Sequence, residues 1–265
     1  MTPSPFAYVR PESLDEAFSA LDPTLHPQAL PLAGGQSLLP WLKQRRLRPQ
    51  LLVDLARIPE LRQLTLGEQR IRIGANLRHA EIASALTSAA PALAQAAQLI
   101  GDVQVRNRGT LGGSLAHSDP AADYPAALIA LNAQVHLGSA HGQRRLDIED
   151  FFLGPYRNQL QPGEIILAVE LAPCPTSRYL KKPHPVSGFA LCGVAQALHP
   201  DDPDGPRNGV TGVATRPFLL RHGSLPAGVE YHHDLHASSA YRAHLLRLLL
   251  EQHQQLHLHN ERGQP

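Results

Sequence analysis

Thr110-Leu111-Gly112-Gly113-Ser114-Leu115-Ala116-His117-Ser118-Asp119-Pro120-Ala121-Ala122-Asp123 is the stretch on which the reading of this 265-residue chain turns. It follows the basic run Arg106-Asn107-Arg108 and leads into sequence rich in Ala and Leu. A related segment lies upstream, where Leu32-Ala33-Gly34-Gly35-Gln36-Ser37-Leu38-Leu39 follows an apolar run and opens a helix-like stretch. Paired glycines let a backbone turn sharply and approach a ligand, because no Cβ stands in the way. Successive N–H groups at such a turn form a cradle for phosphate oxygens. Two cradles point to an extended phosphate-bearing ligand, such as a dinucleotide, gripped from both sides. Taken singly, each is equally a tight turn between hydrophobic runs. Neither fits G-x-G-x-x-G or G-x-x-x-x-G-K-[ST].

Composition narrows the function class. The chain has 24 Lys and Arg against 23 Asp and Glu, so it offers no basic field to a nucleic acid. No apolar run approaches the roughly 18 residues of a membrane span. Met1-Thr2-Pro3-Ser4-Pro5-Phe6 lacks the basic and apolar blocks of a signal peptide, so a cytoplasmic protein is expected. The 2 cysteines, Cys174 and Cys192, are too few for a four-Cys iron–sulfur cluster, and a disulfide would be unusual in a reducing cytoplasm. Both read as small apolar residues. Any redox centre of the chain's own must then be organic, with metal clusters on other chains. Histidines crowd the end, and His253 and His257 would share a helix face. That pair is either a metal pair or a weakly charged polar surface; the second is preferred, and no metal ligand is assigned.

Local signals outline an α+β fold. Ser13-Leu14-Asp15-Glu16 has the form of a capping box for a helix over Leu14–Leu21. Ala29–Ala33 reads as a buried strand that delivers Gly34 and Gly35, and Ser37 as the cap of a helix reaching Gln44. A strand at 51–55 and a hairpin around Gly67-Glu68 follow, with Ile71 and Ile73 on one face. Helices are expected over His79–Leu86, Ala92–Ile100 and Pro120–Leu131, with Asp123 as the alternative start of the last. Further strands are expected at Ala133–Leu137, Arg144–Asp147, Glu164–Leu171, Phe189–Leu198 and Gly209–Ala214. The run from Pro200 to Pro206 reads as an exposed loop. Pro173-Cys174-Pro175 marks a domain boundary. The last helix, Ala240–Leu256, carries Tyr241, Leu245, Leu248, Leu249 and Leu256 along one face.

Together, Ala-Gly-Gly-Gln-Ser-Leu-Leu-Pro from Ala33 and Arg-Asn-Arg-Gly-Thr-Leu-Gly-Gly-Ser from Arg106 resemble the FAD-binding signatures of molybdenum hydroxylase flavoprotein subunits. These are the medium subunits of the carbon monoxide dehydrogenase and xanthine dehydrogenase type. Tyr179-Leu180-Lys181-Lys182-Pro183-His184-Pro185-Val186-Ser187-Gly188-Phe189-Ala190 is similar to the start of their C-terminal domain, and Tyr241-Arg242-Ala243-His244-Leu245-Leu246 to the opening of their last helix.

The resemblance implies a two-subdomain FAD-binding domain of the vanillyl-alcohol oxidase / p-cresol methylhydroxylase type over residues 1–173, divided near residues 56 and 57. A small, shortened α+β C-terminal domain over 176–265 would follow. It implies non-covalent FAD held by Leu32, Ala33, Gly34, Gly35, Gln36 and Ser37 on one side, and by Thr110, Leu111, Gly112, Gly113 and Ser114 on the other. Ser37 would touch phosphate or only cap its helix. Asp123 would hydrogen-bond the cofactor or act as a helix N-cap, and Lys181 would lie near the flavin ring, with Lys182 as the alternative register. Arg106 and Arg108 would neutralise phosphate, face a partner or sit in solvent. His117 is the one histidine placed for covalent attachment, which the family generally does not use. No catalytic substrate-side set is visible. The implied role is electron transfer in a hetero-oligomer, from [2Fe-2S] clusters of a small subunit to NAD, oxygen or a quinone, with substrate oxidised on a molybdopterin-binding large subunit. A stand-alone flavin oxidoreductase and a non-catalytic assembly subunit with weakened FAD binding are the alternatives.

Overall fold

The computed structural model describes residues 2–199, 202, 205–221 and 225–262, with side chains as far as residue 256. The chain begins with a three-stranded parallel sheet, in which Leu51–Asp54 lies between Ala7–Val9 and Ala29–Leu32. Leu51–Asp54 is buried along its length, as expected of a central strand in a parallel sheet. Ala7–Val9 is exposed at every residue and too short to betray itself by alternation. The helix Leu14–Ala20 starts at Ser13, whose Oγ accepts from the Glu16 amide at 3.3 Å. The return bond of the capping box reaches one residue further upstream than usual, from the Glu12 amide to the Glu16 carboxylate at 2.8 Å.

The second layer is a five-stranded sheet ordered Leu64–Leu66, Ile71–Gly74, Ile165–Leu171, Gln134–Ser139 and Gly142–Asp147, antiparallel throughout. Ile71 and Ile73 are wholly buried on its core face. The helices His79–Ala85, Pro91–Gln98, Val103–Arg106, Leu111–His117 and Tyr124–Ala130 occupy the intervening chain. Tyr124–Ala130 is buried on all sides, which an all-apolar helix requires. It rests directly on the C-terminal sheet: a Cβ at Gly209 would overlap the Ala126 carbonyl oxygen. One apolar core therefore runs from Ala17 and Val53 through Ile73, Leu93 and Leu128 into Tyr179, Ala195 and Leu219.

The C-terminal sheet is four-stranded and antiparallel, ordered Ser177–Pro183, Ala190–Ala197, Arg207–Thr211 and Phe218–Leu220. The first and last of these strands were not expected from sequence. The helix Ser239–Arg262 packs on Ala190–Ala197 and encloses a second core containing Val194, Val210, Phe218, Leu245 and Leu249. The expected apolar stripe of this helix needs correction, because Tyr241, Leu248 and Leu256 face outward. The buried stripe is Arg242, Leu245, Leu246, Leu249 and His253. Two polar members belong to it because the sheet supplies carbonyls: Arg242 donates to Leu191 and Gly212, and His253 Nε2 lies 3.1 Å from Val194 O. His253 is thus not on a solvated face, and the His257 side chain lies outside the described residues. The expected 200–206 loop also falls largely outside them. Among the described residues, no helix is long and apolar enough to cross a membrane.

Candidate functional site

The upstream glycine segment leaves the parallel sheet after Leu32 and enters the helix Leu38–Lys43. Gly35 has φ 75°, in the left-handed region that glycine adopts at no steric cost. Among the described residues, none accepts a hydrogen bond from the backbone amides of Gly34, Gly35, Gln36 or Ser37. The expected capping role of Ser37 is corrected: its backbone is helical at φ −99°, ψ −43°, and its hydroxyl makes no capping bond. A capping side chain needs an extended backbone to fold back onto the first turn.

The downstream segment is built differently. Gly112 and Gly113 do not form a turn; they lie in the first turn of the helix Leu111–His117. Thr110 is its N-cap, extended at φ −122°, ψ 155°, and accepts from the Gly113 amide at 3.2 Å. The Leu111 amide donates to Leu77 O at 3.0 Å and the Gly112 amide to Ala75 O at 2.8 Å. These donors are already satisfied, so this segment is a wall rather than a cradle. Its glycines serve close packing. A Cβ on Gly112 would come 2.6 Å from Ala75 Cβ, and one on Gly113 would come 2.8 Å from Thr110 Oγ1, with Ala33 Cβ 3.9 Å away. From the other side, a Cβ on Gly34 would overlap the Arg108 carbonyl oxygen and lie 2.7 Å from Gly109 Cα. The two segments therefore meet backbone to backbone.

Between them opens a cleft of about 510 Å³, within the range of cofactor sites. Ala33, Gly34, Gly35, Gln36 and Ser37 line one side, and Thr110, Gly112, Gly113 and Ser114 the other, with Asp123 beyond. Ile165 and Ile166 of the central strand and the hairpin tip Ser187-Gly188-Phe189 of the C-terminal sheet also line it. No Lys or Arg stands among the described lining residues. An anionic group here would be met by free amides and neutral side-chain donors.

Sequence comparison decides what the cleft belongs to. Residues 4–173 match the family model described as the FAD binding domain in molybdopterin dehydrogenase. The chain belongs to this family. It is 40% identical over 202 residues to the glyceraldehyde dehydrogenase medium chain of Sulfolobus acidocaldarius, covering 75% of this chain and 71% of that one. It is 42% identical over 173 residues to the carbon monoxide dehydrogenase medium chain of Hydrogenophaga pseudoflava, covering 64% and 60%. The second match spans less than two thirds of its relative's length. In structure it superposes on carbon monoxide dehydrogenase from Hydrogenophaga pseudoflava with a TM-score of 0.83 at 32% identity, covering 92% of this chain and 94% of that one. Quinoline 2-oxidoreductase from Pseudomonas putida 86 gives 0.84 at 28% identity, with 96% and 99% covered.

The cofactor of this FAD-binding family suits the site. A run of unpartnered amides beside a left-handed glycine is what pyrophosphate oxygens require, and the apolar part of the lining can take a flat ring. Leu32 and Leu111 are not part of the cleft wall; Leu111 is fully buried in the core.

Lys181 also stands off the wall, and its Nζ lies 2.8 Å from Asp123 Oδ2 and 3.1 Å from Leu99 O. Lys182 is exposed, whereas the Lys181 side chain is only 3% accessible. Asp123 makes no helix cap; its other oxygen accepts from Tyr179 Oη at 2.6 Å. Burial raises the Asp123 carboxyl above the ordinary carboxylate range, while Lys181 and Tyr179 oppose that rise. Arg106 ties down Ile100 O and Gly101 O, and Arg108 is exposed.

Three lining residues escaped sequence reading. Trp41 packs edge-on to His117 with centroids 4.8 Å apart, and Tyr156 completes the cluster. Burial lowers the His117 pKa, leaving a neutral imidazole between two aromatic rings. Asn76 donates to Leu55 O at 2.7 Å and braces the wall. His79 is 4% accessible, with Nδ1 2.9 Å from Tyr124 Oη. None of these sits in a motif, so only the folded chain gathers them.

Proposed function

We propose that this chain is the flavin-bearing electron-transfer subunit of a molybdenum-dependent dehydrogenase. The observation that carries this reading is the run of amides Gly34–Ser37, unpartnered among the described residues and packed against the Gly112-Gly113 helix start in a cleft whose described lining has no Lys or Arg. When bound, FAD would supply the change from one-electron to two-electron transfer, and the chain would supply position and surroundings.

In this reading Gly34, Gly35, Gln36 and Ser37 donate amide hydrogens to the pyrophosphate. Thr110, Gly112, Gly113 and Ser114 form the opposing wall, and the Ser114 hydroxyl, which has no partner among the described residues, is free to donate. Asp123 faces the cleft as a buried anion held by Lys181 and Tyr179. Lys181 then acts on the ring through Asp123 rather than by direct contact. Leu32 and Leu111 shape the segments from behind.

The substrate-side chemistry belongs to partners: a molybdopterin-binding large subunit and a [2Fe-2S] small subunit in a cytoplasmic hetero-oligomer. The medium-chain names of the relatives support this. We divide the chain at 173–176, with subdomains meeting near 56 and 57; the reach of the family match and the separate core under Ser239–Arg262 support that division. A shortened segment before the last helix is part of the same reading. Purification from a host carrying the neighbouring genes tests the proposal: it requires co-isolation of a molybdenum protein and a four-Cys iron–sulfur protein. A chain that oxidises a substrate unaided would overturn it.

A further inference from the structure

Tyr124 is completely buried, and among the described residues its hydroxyl has one hydrogen-bond partner, His79 Nδ1 at 2.9 Å. A buried hydroxyl left without an acceptor is costly, so Tyr124 must donate to Nδ1. That fixes the proton of the neutral ring on Nε2. Among the described residues Nε2 has no partner, yet it is not among the buried polar atoms lacking one, so it retains contact with the cleft that His79 lines. It stands where the glycine segments meet: a Cβ on Gly109 would overlap Nε2 and come 2.8 Å from Cδ2, and Gly109 Cα is what a Cβ on Gly34 would meet at 2.7 Å.

We propose that His79 is a neutral hydrogen-bond donor to the diphosphate of the bound nucleotide, its tautomer set by Tyr124. This rests on the FAD reading and names a donor that neither glycine segment contains. It also accounts for a glycine at position 109, since any side chain there would displace the imidazole. Burial lowers the His79 pKa to about 4, so the ring gives a directed hydrogen without adding charge to a site that already contains Asp123.

The test uses the full chain, stripped of flavin, and three probes: FAD, ADP and riboflavin. His79→Asn keeps an acceptor for Tyr124 and removes the Nε2 donor, whereas His79→Gln places an amide near the Nε2 position. For His79→Asn, affinity for FAD and ADP should fall about 10- to 100-fold, the loss of one hydrogen bond to a charged group, with riboflavin unchanged. His79→Gln should recover most of that loss. Equal FAD and ADP affinity in His79→Asn and wild type would overturn the proposal. Should His79→Asn fail to fold, the pair His79→Leu with Tyr124→Phe removes donor and orphan together and must show the same loss. Independently, ring ¹⁵N shifts must report the Nε2–H tautomer, and the Nδ1–H form would also overturn it. A wild-type chain that binds neither FAD nor ADP overturns the FAD reading and this one with it; binding that His79→Asn leaves intact overturns this one alone.

Discussion

Lys181 Nζ and Asp123 Oδ2 lie 2.8 Å apart, with both side chains almost fully withdrawn from water, at 3% and 5% accessibility. The pair joins the first strand of the C-terminal sheet to the residue that opens the buried helix Tyr124–Ala130, so it fastens the cleft to the C-terminal part of the chain. Removing one partner of a buried ion pair strands the other charge. Lys181→Met should therefore destabilise the chain by about 3–5 kcal/mol in urea unfolding. Combining it with Asp123→Asn should cost less than the sum of the single changes, because the double variant leaves no stranded charge.

Gly34→Ala is expected to separate the two glycine segments. The added methyl would overlap Arg108 O, a backbone atom that cannot rotate away. Overpacking of this kind costs about 1–3 kcal/mol. Flavin retention through gel filtration should fall together with the melting temperature. Gly142→Ala, away from the cleft, makes the contrast: it has open space around it, but its φ of 127° is strained for a side chain. It should lower stability slightly without expelling flavin.

Acid should act through His79. Its folded pKa of about 4 lies below the ordinary 6.5, so the unfolded chain binds this proton more tightly. The contribution of the neutral ring is fully present above pH 6.5 and is lost as the pH falls towards 4, to a limit of about 3 kcal/mol. The urea midpoint of wild type should fall relative to that of the His79→Leu, Tyr124→Phe pair over that window as the pH is lowered.

Trp41 is the only tryptophan and it lines the cleft. Its emission should be quenched on titration with FAD, at the same midpoint as the change in flavin fluorescence. Trp41→Phe should keep binding within a few fold and abolish the protein signal.

Much of this was legible in the residues. Elements with strong local signals fell where expected: the helix from Leu14, the strand of Ile71 and Ile73, and the long strand Ile165–Leu171. Ala7–Val9 and Phe218–Leu220 were missed because three residues carry no periodicity, and the partner of Ala7–Val9 is remote in sequence. The last helix was found, but its buried stripe was misread. Arg242 and His253 look like solvent residues until carbonyls of the sheet are there to receive them. At the site, glycine pairing located both walls and could not assign their tasks. Gly34–Ser37 keeps its amides free, whereas Leu111 and Gly112 give theirs to Leu77 and Ala75, partners a motif does not contain. His79 and Trp41 could be recognised only once the cleft had formed.

The most direct test is the absorbance spectrum of the purified full chain, followed by release of its flavin with acid. A flavin spectrum, with FAD freed by acid at one per chain and lost in Gly34→Ala and Gly35→Val, is the predicted result. Colourless protein that stays colourless after incubation with FAD would contradict the account, because the free amides of Gly34 to Ser37 would then have no phosphate to hold.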